Sequence, residues 1–145
     1  MSEILVIAYG NPLRCDDGLA WHAAEKLSQL NLPHVEIITQ HQLTPELAVL
    51  LSQAKTVFFI DAAQAGIPGE LAWGPIEQQS SSSTFTHESS PAAILGLAQE
   101  LYGRCAQAFT ISVCGECFEH GETLSAKVEE SLPHVVAIIS EFAND

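Results

Sequence analysis

The strongest constraint in this chain is a run of six residues near its start, Ile4-Leu5-Val6-Ile7-Ala8-Tyr9, apolar throughout and rich in β-branched side chains. An alternating pattern would mark a strand with one wet face. A continuous one marks a strand covered on both faces, the situation of a parallel sheet with helices packed on either side. Parallel strands need long crossovers, so the remaining chain should alternate helices with strands, and it does. Gly10-Asn11-Pro12 ends the run as a turn. From Asp17 to about Leu30 the apolar positions Leu19, Ala20, Ala23, Ala24, Leu27 and Leu30 recur at helical spacing, with Asp16 as the expected N-cap. A second strand is expected over residues 35–39, then a helix that Thr44 caps, Pro45 opens and Gln53 closes.

The third strand, Thr56-Val57-Phe58-Phe59-Ile60, is expected to stop at Asp61, and Gly66, Pro68 and Gly69 break the chain before a short strand at residues 70–74. Residues 78–84, a polar stretch with four consecutive serines, read as a mobile loop rather than a linker. A helix from about Ser90 to Tyr102, capped by Ser89 or Ser90 with Pro91 in its first turn, precedes a fifth strand at residues 109–113. A closing helix runs from Leu124 or Ser125 to Phe142. This order implies a three-layer α/β/α sandwich with a mostly parallel sheet. One domain over residues 1–145 is expected, because a chain of this length buries roughly two thirds of its unfolded surface in a single core.

Charge and hydropathy exclude several function classes. Five basic residues, Arg14, Lys26, Lys55, Arg104 and Lys127, stand scattered against eighteen acidic ones, so no clustered positive surface is available for nucleic acid. The longest apolar runs fall far short of the ~20 residues of a membrane span. No basic segment leads into a signal-like core, and a cytoplasmic protein without membrane attachment is expected. Four cysteines, Cys15, Cys105, Cys114 and Cys117, are too few and too unevenly spaced for a disulfide framework and read as reduced thiols.

Ligands of open α/β sheets gather outside the carboxyl ends of the strands. Three loops there carry candidates. After the first strand, Gly10-Asn11-Pro12-Leu13-Arg14-Cys15-Asp16-Asp17-Gly18 lacks the second and third glycines of a dinucleotide loop, and Pro12 removes a backbone N–H that a pyrophosphate would need. It offers two adjacent carboxylates instead. Asp61 follows five apolar or β-branched positions, where a charge is costly unless paired or liganded; the alternative is a turn cap. His87, in Thr84-Phe85-Thr86-His87-Glu88-Ser89-Ser90-Pro91, is the third, its alternative a solvated loop imidazole. Two carboxylates and an imidazole from separate loops suit nickel, zinc or manganese. The remaining histidines, His22, His34, His41, His120 and His134, read as surface residues. Cys114-Gly115-Glu116-Cys117 admits a redox or half-zinc reading. No second pair supports zinc, and no helix follows directly to lower a thiol pKa.

In order and spacing, the first strand with Gly10 to Gly18, then Phe59-Ile60-Asp61-Ala62, Thr86 to Pro91, Gly115-Glu116 and Gly121-Glu122-Thr123-Leu124-Ser125 resemble the nickel-iron hydrogenase maturation proteases over nearly the whole chain. The most specific part is the G-N-x-L-x-x-D-[DE] loop. The resemblance implies that Asp17, Asp61 and His87 are both the nickel-recognising ligands and the catalytic group. It also implies a five-stranded twisted sheet of the phosphorylase/hydrolase-like kind, with the strand at residues 70–74 antiparallel. The implied activity is endopeptidase cleavage of the C-terminal extension of a nickel-loaded hydrogenase large-subunit precursor, by a monomer, with nickel supplied by the substrate. Either the metal polarises the peptide carbonyl or it activates a water, with Asp17 or Asp61 as base. Two departures stand out: Cys15 occupies a position where glycine is usual, and Thr39-Gln40-His41-Gln42-Leu43-Thr44-Pro45 resembles the branch serving bidirectional, NAD-linked hydrogenases. The rival functions are a chaperone that checks the large subunit's nickel without cutting and a redox protein built on Cys114 and Cys117.

Overall fold

The computed structural model describes residues 3–76, 90–104 and 106–144. Five strands, β1 (Ile4–Tyr9), β2 (Val35–Gln40), β3 (Thr56–Ala63), β4 (Leu71–Pro75) and β5 (Gln107–Cys114), form one sheet in the order β2-β1-β3-β5-β4. All neighbours run parallel except β4 against β5, which is antiparallel. Among the described residues, four α-helices cover it: α1 (Leu19–Gln29), α2 (Leu47–Gln53), α3 (Pro91–Tyr102) and α4 (Ala126–Ala143). The expected sandwich and its antiparallel strand are therefore present.

Alternation along the strands divides the core in two. Ile4, Val6 and Ala8 of β1, with Phe58 and Ile60 of β3, pack against α1 and α4. Leu5 and Ile7, with Val57 and Phe59, pack against α2 and α3. Phe58 and Phe59 are both fully buried on opposite faces, each contributing about 2–3 kcal/mol of transfer free energy. This two-sided burial is why β1 and β3 read as unbroken apolar runs.

Four expectations about element ends need correction. β3 does not stop at Asp61 but continues to Ala63, because Asp61, Ala62 and Ala63 pair with Ser112, Val113 and Cys114. Asp16 does not cap α1: a 3-10 turn over Cys15–Gly18 precedes that helix, whose N-cap is Gly18. α2 begins at Leu47, after 3-10-type bonds from Leu47 N–H to the Thr44 carbonyl and from Ala48 N–H to the Pro45 carbonyl. α4 begins at Ala126 rather than at Leu124 or Ser125; Ser125 holds its N-cap position, with its hydroxyl bonded to Asp16 instead of the helix. The cap of α3 is as expected: Ser90 Oγ accepts from Ala93 N–H, with Pro91 at the first helical position.

Candidate active site

The carboxyl ends of β1, β3 and β5 lie side by side at the middle of the sheet, and each contributes to one polar cluster. Register sets the first contact. Ala8 stands opposite Ile60, so the next residues along the parallel pair, Tyr9 and Asp61, emerge together. The Tyr9 hydroxyl donates to Asp61 Oδ2 at 3.0 Å. From the other side, Ser112 of β5, opposite Asp61, also hydrogen-bonds its carboxylate. Burial pushes the Asp61 carboxyl above its ordinary value of 3.8, the two hydroxyls hold part of that rise back, and the charge of Asp17 adds to it. Burial likewise drives the Tyr9 phenol far above its ordinary value, reinforced by the Asp61 charge, so Tyr9 remains a proton donor at any physiological pH.

The loop after β1 presents Asp17. Asn11 organises it: its Oδ1 accepts from Leu13 N–H at 2.9 Å and its carbonyl from Arg14 N–H at 3.1 Å. Asn11 N–H in turn donates to Asp17 Oδ2 at 2.8 Å, folding the side chain back over the turn. Gly10 has φ +141°, and a Cβ there would overlap the Asp17 carbonyl oxygen, so only glycine permits this closure. Trp21 of α1 ties the loop's root to the sheet, its indole N–H shared between the carbonyls of Gly10 at 3.0 Å and Gln40 at 3.2 Å.

Asp16 does something the sequence did not suggest. Fully buried, it turns away from Asp17 and accepts four hydrogen bonds from the segment between β5 and α4. The donors are the N–H groups of Glu116 (2.8 Å), Cys117 (3.0 Å) and Ser125 (2.7 Å) and the Ser125 hydroxyl (2.8 Å). Desolvation opposes its ionisation, but these donors prevail and hold its carboxyl below the ordinary value. Backbone bonds continue the seam: Cys15 N–H to the Gly121 carbonyl, Asp16 N–H to the Cys117 carbonyl, and Gly121 N–H to the Leu13 carbonyl. Cys15, at the position where glycine is usual, adopts φ +47°.

Of the three expected site residues, Asp17 and Asp61 are brought within electrostatic reach of each other. His87 lies outside the described residues, as do residues 78–84. Among the described residues no group of three His, Cys, Asp or Glu side chains is arranged to hold a metal. The two carboxylates supply hard oxygen donors, which fits a borderline divalent cation completed by an imidazole or by ligands of a substrate. A cleft of about 480 Å³ lined by Pro12, Trp21, His22, Glu25, Thr39 and Glu122 lies beside α1 and β2 but includes neither carboxylate. Tyr9 and Ser112 are not singled out by the sequence as site residues, and Asn11 appears there only as part of the turn and loop motif. Tyr9 carried the one usable signal, a polar tip closing a fully buried strand.

No protein-family model matches the chain, and no curated protein matches it in sequence. Solved structures do. A hydrogenase 2 maturation peptidase from a Thaumarchaeota archaeon is 24% identical, with a TM-score of 0.75 and 99% of both chains covered. The [NiFe] hydrogenase maturation protease HycI from Thermococcus kodakarensis is 21% identical, with a TM-score of 0.76, over 99% of this chain and 94% of that one. The hydrogenase maturating endopeptidase HybD from E. coli is 24% identical, with a TM-score of 0.72, over 96% of this chain and 90% of that one. The fold is thus the α/β sandwich of the hydrogenase maturation endopeptidases. Within that class, both HybD and HycI structures superpose over nearly their whole length.

Proposed function

We propose that this protein is a hydrogenase maturation endopeptidase, removing the C-terminal extension of a nickel-loaded [NiFe] hydrogenase large-subunit precursor in the cytoplasm. The observation that carries the reading is Asp61 at the carboxyl end of β3, within electrostatic reach of Asp17 in the loop after β1, on a fold shared nearly end to end with enzymes of that name. The G-N-x-L-x-x-D-D loop supports it.

In this reading nickel arrives as part of the substrate, and Asp17, Asp61 and His87 bind its open positions. The gain is positional. A precursor anchored through its metal holds one peptide bond beside the carboxylates, which removes much of the entropy cost of cleavage. Asp61 is the proposed proton acceptor for the attacking water. Tyr9 and Ser112 orient that carboxylate. Asp17, clamped by the Asn11 N–H, stays in position as the second anionic contact.

The test is to incubate purified protein with nickel-loaded and nickel-free precursor and to measure product masses. Loss of the C-terminal peptide from the nickel-loaded form alone is expected. An intact precursor bound stably in the nickel-loaded form would identify a checking chaperone instead.

A further inference from the structure

We propose that Cys15 and Cys117 form an oxidisable dithiol that closes into a disulfide across the seam between the first loop and the β5–α4 segment. This site lies beyond the peptidase reading and does not depend on it. The sequence pairs Cys117 with Cys114, but the fold separates those two. Cys114 ends β5 with its Sγ packed toward Gly66, 2.6 Å from where a Cβ on that glycine would stand. Cys117 instead lies against the first loop, about 100 residues away along the chain, where its N–H donates to the Asp16 carboxylate and its carbonyl accepts from the Asp16 N–H, and its thiol is close enough to Cys15 to raise that thiol's pKa.

Backbone geometry holds them there independently. Asp16 N–H bonds the Cys117 carbonyl at 2.9 Å, Cys117 N–H bonds the Asp16 carboxylate at 3.0 Å, and Cys15 N–H bonds the Gly121 carbonyl at 2.8 Å. Gly121 leaves the space Cys15 Sγ fills, since a Cβ there would come within 3.0 Å of it. Both cysteines are half-buried, so a small reagent can reach them. The oxidant is a low-molecular-weight disulfide. One cysteine sulfur attacks it, releasing one small thiol and leaving a mixed disulfide. The second cysteine then displaces the other small thiol, so two electrons and two protons leave with the two thiols. The bond closes a long loop and so restricts the unfolded chain most effectively.

Oxidised glutathione is the probe, applied to the intact protein. The expected product is about 2 Da lighter than the reduced chain. Digestion with trypsin and then after glutamate separates Cys117 from Cys114 at Glu116, and should show the Cys15 peptide joined to Cys117-Phe118-Glu119. Tm should rise by roughly 5–10 °C and return on reduction. Cys114→Ser should keep both results; Cys15→Ser and Cys117→Ser should lose both. A bond between any other pair of the four cysteines, mixed disulfides alone, or a bridged protein with unchanged or lower Tm would overturn the proposal.

Discussion

Asp16 and Ser125 are joined twice, the carboxylate accepting from the Ser125 N–H at 2.7 Å and from its hydroxyl at 2.8 Å. With the Glu116 and Cys117 amides, this makes Asp16 the anchor of the loop that presents Asp17. Asp16→Asn should destabilise the protein by about 2–4 kcal/mol, because an amide nitrogen cannot accept and leaves buried donors unsatisfied. Urea unfolding at neutral pH checks this; a variant as stable as the parent would show that the seam is held by its backbone bonds alone.

The same group makes stability fall in acid. Asp16 has a folded-state value below its ordinary 3.8, so its contribution is complete above 3.8 and is lost as pH falls through the folded value. Unfolding free energy measured between about pH 5 and about pH 2 should drop steeply in the parent and less steeply in Asp16→Asn. Parallel curves would assign the acid sensitivity to other carboxylates.

Asp61→Asn should reduce precursor cleavage by at least ~100-fold while leaving the fold intact. Asp61 is raised in the folded state, so its ionised form disfavours folding as pH climbs from 3.8 through the folded value. The neutral amide should therefore melt at or above the parent temperature at neutral pH. By contrast, the double change Cys114→Ser, Cys117→Ser should keep most activity under reducing conditions. Normal cutting by Asp61→Asn would favour a structural role for that residue, and a folded but inactive double variant would favour the redox reading.

Tyr9→Phe removes the 3.0 Å donor from Asp61 Oδ2. The carboxyl loses a group that favours its charged form, so its titration should move further up. Carbon NMR of Asp61 in metal-free protein reads this directly. Cleavage at neutral pH should fall roughly 10-fold, with about 1 kcal/mol of stability lost. An unmoved Asp61 midpoint would show that Ser112 alone suffices.

Gly10→Ala tests the loop's closure. A Cβ at φ +141° would overlap the Asp17 carbonyl, and since that partner is backbone it cannot rotate aside. A loss of about 2 kcal/mol or more is expected. The amide resonances of Asn11 and Asp17 should shift, reporting loss of their hydrogen bond. A variant with parental stability and unshifted resonances would mean the loop has room that its geometry denies.

Much of the architecture was legible along the chain because burial on both faces leaves a local mark. The apolar runs of β1 and β3 predicted the covered parallel sheet, and the Ser90-Pro91 pair marked the start of α3 because caps depend on adjacent residues. Asp61 could be singled out as a carboxylate following a buried strand, and Asp17 through the resemblance of its loop. β3 was read three residues short because the pairing of Ala62 and Ala63 with Val113 and Cys114 lies on another strand.

What the sequence by itself determined is the set of elements, their alternation, and the acidic loop that resembles a known family, since each depends on neighbours in the chain. Only the tertiary structure decided that Asp16, of the two adjacent aspartates, is a buried anchor. The reason is that the donors to Asp16 come from Glu116, Cys117 and Ser125, residues about 100 positions away. It likewise decided that Tyr9 serves Asp61 and that Cys117 lies by Cys15 rather than Cys114. Those partnerships arise from strand order and loop crossing, and no spacing within a single segment encodes them.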